Sequence, residues 1–218
     1  MAAPEYNSPI HYSVFRDADS DELVHLLAEA FTRHDPPAVA LGLTFDEFGD
    51  FVRLFCPKAD AEGLTIVARS AETGEMMGAL LTEEATATPP DGFDRLSPKF
   101  APVFDMLGQL DATYLAGEHP RPGDALHLFL LGVSPRFTGR GIAQQLVSRT
   151  LVNGAARRYR VAFAEATNRT SQHIFRSQGF VERAHLSYRD FRFEGREVFA
   201  SIAGHGGAIL MDKLLASR

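Results

Sequence analysis

Residues 132 to 143 read Gly-Val-Ser-Pro-Arg-Phe-Thr-Gly-Arg-Gly-Ile-Ala. Gly139 and Gly141 lack the Cβ that would hold a ligand off the main chain, and glycine accepts positive φ. Successive amides in such a turn form a cradle for an oxygen-rich anion, above all a phosphate. A helix behind the cradle adds its first-turn N–H groups and the positive end of its dipole. The chain supplies one: Ile142-Ala-Gln-Gln-Leu-Val-Ser-Arg-Thr-Leu151 has helical spacing, and the apolar run Ala125–Leu131 before the loop reads as a strand. Two common nucleotide loops are excluded. There is no Gly-x-x-x-x-Gly-Lys-Ser/Thr, and Gly-x-Gly-x-x-Gly would need a glycine at Gln144. The bland alternative is a glycine-rich turn that holds nothing.

Proton chemistry has a candidate on the strand before the loop. His127 alternates onto one face with Phe129, Leu131 and Val133, and an imidazole titrates where a base at neutral pH must. A hydrogen-bonded core histidine is the competing reading. One strand beyond the loop stands Asn168-x-x-Ser171-x-x-Ile174-Phe175-x-x-x-Gly179-Phe180. A plain amphipathic helix with a glycine stop explains its apolar members. Asn168 and Ser171 at the helix start exceed that pattern, beyond simple capping.

The elements that must position these residues follow from periodicity. Ile10–Phe15 alternates as a first strand, Asp19-Ser-Asp-Glu22 is a capping-box pattern opening a helix through Phe31, and Asp35-Pro-Pro37 stops it. Thr44-Phe-Asp-Glu47 opens a second helix that Pro57 is expected to end. Leu64–Arg69, a turn at Gly74, and Met76–Leu81 form a hairpin. Residues 85–124, bounded by Pro89-Pro-Asp-Gly92 and Pro120-Arg-Pro-Gly123, hold Phe100, Phe104, Leu107, Leu110 and Tyr114 at helical spacing. They read as a helical insertion over one side of the sheet. Arg160–Glu165, Phe180-Val181, Ser187–Phe191 and Ala208–Met211 supply the closing strands. The order β-α-α-β-β-(α)-β-α-β-α-β-β gives one α/β sandwich around a single sheet, residues 1–218 forming one domain.

Composition narrows the function classes. With 22 basic and 28 acidic residues in 218, the net charge of -6 disfavours a broad nucleic-acid surface. Arg136, Arg140, Arg149, Arg157, Arg158 and Arg160 leave room for a local basic mouth, though charged helix faces are common. The single cysteine, Cys56, excludes an internal disulfide and a cysteine-based metal cluster. Histidine spacing suggests no metal site. The start, Met-Ala-Ala-Pro-Glu-Tyr, does not read as a signal peptide, and no apolar run approaches membrane-spanning length. A cytoplasmic protein without membrane contact, monomeric or homodimeric, is expected, with an exposed edge after Val198 as a pairing surface.

The glycine loop resembles the pyrophosphate loop of the GNAT superfamily of acyl-CoA N-acyltransferases. That loop runs Val-x-Pro-x-Phe/Tyr, then Arg/Gln-x-x-Gly-x-Gly/Ala. Val133, Pro135, Phe137, Gly141 and Ala143 match it, and Thr138 departs where Arg or Gln is usual. The Asn168 segment resembles the second half of the same cofactor site. The resemblance implies a GNAT-like α/β (α+β) fold, a central mixed, mostly antiparallel sheet flanked by helices, with the insertion between strands 3 and 4. It also implies an acetyl-CoA site made by Leu131, Gly132, Val133, Thr138, Gly139, Arg140, Gly141, Ile142, Ala143 and Asn168, without a metal.

Many members carry a Tyr four residues before the Gly179 position, to protonate the departing thiolate. Here it is Phe175, as in the arylalkylamine N-acetyltransferase-like branch of insect dopamine-acetylating type. Phe31-Thr-Arg-His-Asp35-Pro36 and Ala40–Leu43 are similar to that branch's Phe…Asp-Glu-Pro-Leu segment. There the acidic residue before Pro is the general base, which implies that role for Asp35, with His127 as its rival. Thr167 and Ser171 fall where the branch has two relay serines. The tail Tyr188–Phe191, Gly195, Val198-Phe199, His205 and Met211-Asp-Lys213 resembles its ending.

The implied reaction is attack of a small primary amine, an arylalkylamine among the candidates, on acetyl-CoA through a tetrahedral intermediate. An alkylamine of pKa ~10 must first lose a proton, while a thiol of pKa ~8.5 leaves with modest help. Backbone N–H groups along Leu131–Val133 would face the oxyanion if the strand splays at Gly132. Two alternatives stay open. The donor could be a longer acyl-CoA, a carrier-protein thioester or an aminoacyl-tRNA, or the domain could bind acyl-CoA without turnover.

Overall fold

The computed structural model describes residues 9–86, 88–115 and 123–215. The N-terminal Met1–Tyr6 stretch and the Pro120–Pro122 breaker lie outside them. Among the described residues, the strands β1 (Ile10–Val14), β2 (Ile66–Ser70), β3 (Met76–Glu84), β4 (Ala125–Val133), β5 (Val161–Ala166), β6 (Val181–Ser187) and β7 (Gly207–Leu214) form one sheet. Their order is β1-β2-β3-β4-β5-β7-β6. Every neighbouring pair is antiparallel except β4 and β5, which run parallel. The sheet is therefore mixed and mostly antiparallel, as expected.

Helices cover both faces. On one side α1 (Ser20–His34) and α3 (Phe45–Glu62) pack Leu23, Leu27, Phe48, Phe51 and Val52 onto Val67, Leu81 and Leu130. Beside them α4 (Ala101–Leu115), the core of the insertion, sets Met106 and Leu110 against Phe163, Ala208 and Leu210. On the other side α5 (Ile142–Ala156) and α6 (Arg169–Ser177) bury Leu146, Val147, Ile174 and Phe175 against Leu80, Ala162, Ala164 and Met211. The strict alternation of β5, with Phe163 to one face and Ala162 and Ala164 to the other, is the two-residue period of a strand covered on both sides. Between α1 and α3 lies the short helix α2 (Pro36–Ala40).

Four local expectations are corrected. Pro57 does not end α3, which continues to Glu62 and stops at Gly63 with φ 62°. Pro57 and Arg53, four residues earlier, are both exposed, so the Arg53 carbonyl that loses its partner faces water. Continuing the helix also buries Ala59. Asp19 makes no side-chain cap on α1. Asp19 and Glu22 instead hold Arg69 of β2 at 2.7 and 2.8 Å, and the second Asp19 oxygen accepts Arg16 N–H at 3.1 Å, so both oxygens of that carboxylate are already engaged. The Thr44–Glu47 box does form, at 3.2 and 2.9 Å. Ser187 ends β6 and residues 188–190 turn. The chain after Val198 leads into β7, which lies inside the sheet between β5 and β6, so it offers no free edge.

Candidate active site

The site is a split in the sheet. β4 and β5 pair only at Ala125–Val161, Leu126–Ala162 and His127–Phe163. Beyond those residues β4 stays with β3 as far as Val133, and β5 follows β7 as far as Ala166. A register shift between Leu81 and Thr82 marks a bulge opposite the point of divergence, and bulges bend strands. Gln172 bonds the carbonyls of Ala166 and Gly207 at 3.1 and 3.0 Å, fastening the far side of the split. The opening thus starts after His127, not at Gly132. Gly132 is glycine for another reason: a Cβ there would meet Leu27 Cδ2 of α1 at 2.7 Å.

Alternation decides which amides enter the gap. Ser134 N–H donates to Met77 O at 2.9 Å. In the antiparallel ladder the pairs Gly132–Ala79 and Leu130–Leu81 therefore exchange hydrogen bonds as well. Leu131 and Val133 point their N–H groups the other way, into the split. The amide of Gly132 is directed at β3 instead.

Two cavities meet there. A groove of about 260 Å³ is lined by Leu131, Val133, Thr138, Ala143, Thr170 and Ile174 among others. A narrower space of about 90 Å³ is walled by Phe31, Phe48, Phe51, Phe100, Phe104 and Phe129. Phe31, Asp35, Leu131, Asn168 and Ser171 line both.

The glycine loop sits at the outer end of the groove. Gly139 and Gly141 have φ 76° and 71°, and no atom lies within 4 Å of a Cβ built on either. Backbone conformation requires glycine at both positions, and the space above them is open to a ligand. Gly141 is the N-cap of α5 and supplies no side chain to satisfy the first-turn amides. Ile142 is buried, with its side chain 3.0 Å from where a Gly78 Cβ would stand. The Thr138 hydroxyl donates to Pro135 O at 3.2 Å. These donors and the open glycine face fit a diphosphate. Arg136 pairs with Glu75 at 2.5 Å, Arg149 stacks 4.3 Å over Tyr12 with Arg140 adding its charge there, and Arg157 donates to Glu62 O. Asn168 Oδ1 accepts Ser171 N–H at 2.9 Å, and Ser171 Oγ donates to Asn168 O at 2.9 Å. Capping thus accounts for both residues, which still face the cavities. His34, at the groove, His173 and His205 are exposed.

Asp35 ends α1 and starts α2. Pro36 and Pro37 hold φ for the first turn of α2, so the carboxylate falls at its N-cap. Its Oδ2 accepts Ala38 N–H at 3.1 Å and its Oδ1 accepts the Thr167 hydroxyl at 2.5 Å. Tyr188 O–H donates to Thr167 O at 2.5 Å, fixing the residue that fixes Asp35. Only 8% of Asp35 is exposed. Burial raises its pKa to about 6, against the opposing pull of the Thr167 bond, the Ala38 amide and His205. Sequence reasoning missed Tyr188 as a site residue, though the Asp-Pro-Pro run already signals an N-cap.

His127 occupies a different environment. Its Nδ1 lies 3.2 Å from Glu83 Oε1 and its Nε2 2.7 Å from Glu165 Oε2, and its ring stacks on Phe163 at 4.8 Å. Burial alone would lower its pKa, but Glu165 and Glu83 outweigh that and raise it to about 10. Lys58 pairs with the other side of Glu83. The imidazolium carries no lone pair at neutral pH and bridges two carboxylates. Phe175 is buried against Phe180, ring centroids 5.0 Å apart.

Residues 21–180 match the Acetyltransferase (GNAT) family, and the chain belongs to that family of N-acetyltransferases. Solved structures share the fold at low identity. The C-terminal condensation domain of Ebony in complex with beta-alanyl-dopamine has TM-score 0.87 and 15% identity, over 95% of this chain and 100% of that one. Arylalkylamine N-acetyltransferase 2 from Aedes aegypti gives 0.79 and 19%, over 95% and 99%. A Drosophila melanogaster polyamine N-acetyltransferase that forms N-acetylagmatine gives 0.78 and 16%, over 95% and 100%.

Proposed function

We propose that this chain acetylates the primary amine of a small arylalkylamine, taking the acetyl group from acetyl-CoA and using Asp35 as general base. One observation carries the reading: a buried carboxyl of raised pKa stands where a diphosphate-sized groove meets a cavity walled by phenylalanines. The loop amides from Thr138 to Ala143 would hold the coenzyme's diphosphate, and Asn168 and Ile174 its pantetheine arm. Acetyl-CoA supplies the activated acyl group as a thioester.

Each remaining demand falls on a residue of the chain. A free alkylamine of pKa ~10 is almost all ammonium at neutral pH. The aromatic cavity disfavours that charge, which brings the pKa of the bound amine toward that of Asp35. Asp35 then takes the proton, held in aim by Thr167 and the Ala38 amide. The Leu131 and Val133 amides receive the oxygen that gains negative charge. Phe175 gives no proton to the departing sulfur, whose pKa of ~8.5 lets it leave as thiolate. His127, locked as an imidazolium, braces the wall of the cavity and leaves the base role to Asp35.

Purified protein mixed with acetyl-CoA and a panel of arylalkylamines, polyamines and amino acids tests the reading through release of free thiol. Faster release with phenethylamine-type acceptors is expected. No release with any amine would overturn it. A second donor is favoured by one observation: Thr138 stands where Arg or Gln is usual. If the donor is a carrier-protein thioester, coenzyme A will leave the thermal melt unmoved while acyl transfer from a loaded carrier to the amine proceeds, releasing the carrier thiol.

A further inference from the structure

A glutamine is buried at the seam between α6 and the sheet. Gln172 is 7% exposed, and its side-chain nitrogen donates to Ala166 O at 3.1 Å and to Gly207 O at 3.0 Å. Both partners are carbonyl oxygens, which only accept, so the NH2 end of the amide must face them. Ala166 is the last residue of β5 and Gly207 the first of β7. Their carbonyls stand where the ladder between these strands ends, at the pair Ala166–Ile209. Both residues are buried, and a buried carbonyl requires a donor. At position 172 a methionine would offer none, an asparagine would be a methylene short, and an ionised glutamate would only accept.

The residue after Ala166 is Thr167, which holds Asp35. Thr167 O accepts Tyr188 O–H at 2.5 Å, and Tyr188 N–H donates to Gly206 O at 3.1 Å. The peptide planes on either side of the Thr167 Cα are thus pinned, the first by Gln172 and the second by Tyr188. A peptide unit is planar, so pinning both fixes φ and ψ between them. Threonine is β-branched and stiff at χ1, so a fixed backbone also aims its hydroxyl. Gln172 directly follows Ser171, and Asn168, Ser171 and Ile174 line the groove. One short segment, 166–174, therefore meets Asp35 with one residue and the groove with three.

We infer that Gln172 is a positioning residue: it fixes the peptide ahead of Thr167 and so keeps Asp35 in register with a thioester donor lying along α6. The inference rests on the reading of Asp35 as general base. A glutamine that only closed the end of the sheet would add to the stability of the fold and leave turnover per folded molecule alone.

The test compares the wild type with Gln172→Met, Thr167→Val and the double variant, using acetyl-CoA and the fastest amine of the panel above. In Gln172→Met, kcat should fall about tenfold while KM for acetyl-CoA changes less than about twofold, the mark of lost orientation rather than lost binding. The acid limb of kcat/KM should move to higher pH, as in Thr167→Val. Because both changes act through one bond, the double variant should move the limb no further than Thr167→Val alone. Gln172→Asn supplies the same comparison if Gln172→Met does not fold. A lowered thermal melt with kcat and the limb unchanged would overturn the inference, and so would limb shifts that add in the double variant. A limb that moves in Thr167→Val but not in Gln172→Met defeats this inference alone. A limb unmoved in Thr167→Val defeats the reading of Asp35 and this inference with it.

Discussion

Thr167 Oγ1 and Asp35 Oδ1 stand 2.5 Å apart although 132 positions separate them in the sequence. One residue follows β5 on the far side of the split, and the other joins α1 to α2 on the near side. Their hydrogen bond ties the two sides together where the groove and the aromatic cavity meet. It also opposes part of the rise that burial imposes on the Asp35 pKa. The bond is the most direct link between the architecture and the proposed proton transfer.

Replacing the carboxyl tests that link first. Asp35→Asn should lower kcat/KM for the amine at neutral pH at least tenfold, about 1.4 kcal/mol of barrier. The amide can still accept from Ala38 N–H, and the glycine loop is untouched, so the affinity for acetyl-CoA should change little. Steady-state kinetics beside a coenzyme binding titration will show both. An unaltered rate would place the base elsewhere.

The pH profile carries the sign. With a pKa of about 6, Asp35 loses its proton as pH rises through that value, so kcat/KM should climb there on its acid limb. Thr167→Val removes a bond to the ionised form, and the limb should move to higher pH. A limb unmoved in Thr167→Val would separate it from Asp35. For stability the direction is opposite: the raised pKa contributes below the unfolded value of 3.8 and is lost as pH rises through about 6. Asp35→Asn should therefore gain stability relative to the wild type above that pH, as strained active sites commonly do.

His127 predicts a second pH dependence, this one of folding alone. Its pKa rises from 6.5 to about 10 in the folded protein, so its contribution is complete below 6.5 and lost as pH climbs through 10. Urea unfolding of the wild type should show stability falling across that interval. His127→Gln leaves two buried carboxylates without their bridge and should cost about 3–5 kcal/mol at pH 6. Its deficit should shrink toward pH 10. A constant deficit would mean the ring acts by packing on Phe163 rather than by charge.

Gly132→Ala probes the seat of α1. The added methyl would approach Leu27 Cδ2 to 2.7 Å, and overpacking of this kind costs about 1–3 kcal/mol. Trimming the partner in the double variant Gly132→Ala, Leu27→Ala should recover part of it, which a double-mutant cycle of thermal melts will measure. Additive losses would show that the two positions do not touch.

Local signals were legible in the chain wherever their partners are near in sequence. The Thr44–Glu47 box closes over three residues, Gly139 and Gly141 declare positive φ by type, and Asn168 caps its own helix. From these the order of elements, the helical insertion and the glycine cradle followed directly. Pro57 misled because sequence records the missing N–H of proline but not that the orphaned carbonyl faces solvent. Asp19 and Glu22 misled because Arg69, some fifty positions away, claims their carboxylates.

Residue type and spacing marked candidate positions in the chain, but their chemical states are not written there. That Asp35 is the group able to accept a proton near neutral pH and His127 a fixed cation depends on burial and on carboxylates delivered by β3 and β5. The opening of the sheet after His127, and the pairing of Asp111 with Glu165, depend likewise on strands and helices distant in the chain. Short-range sterics and backbone hydrogen bonding are written residue by residue. Desolvation and charge–charge coupling exist only once remote segments are packed together, and so the tertiary structure alone decided them.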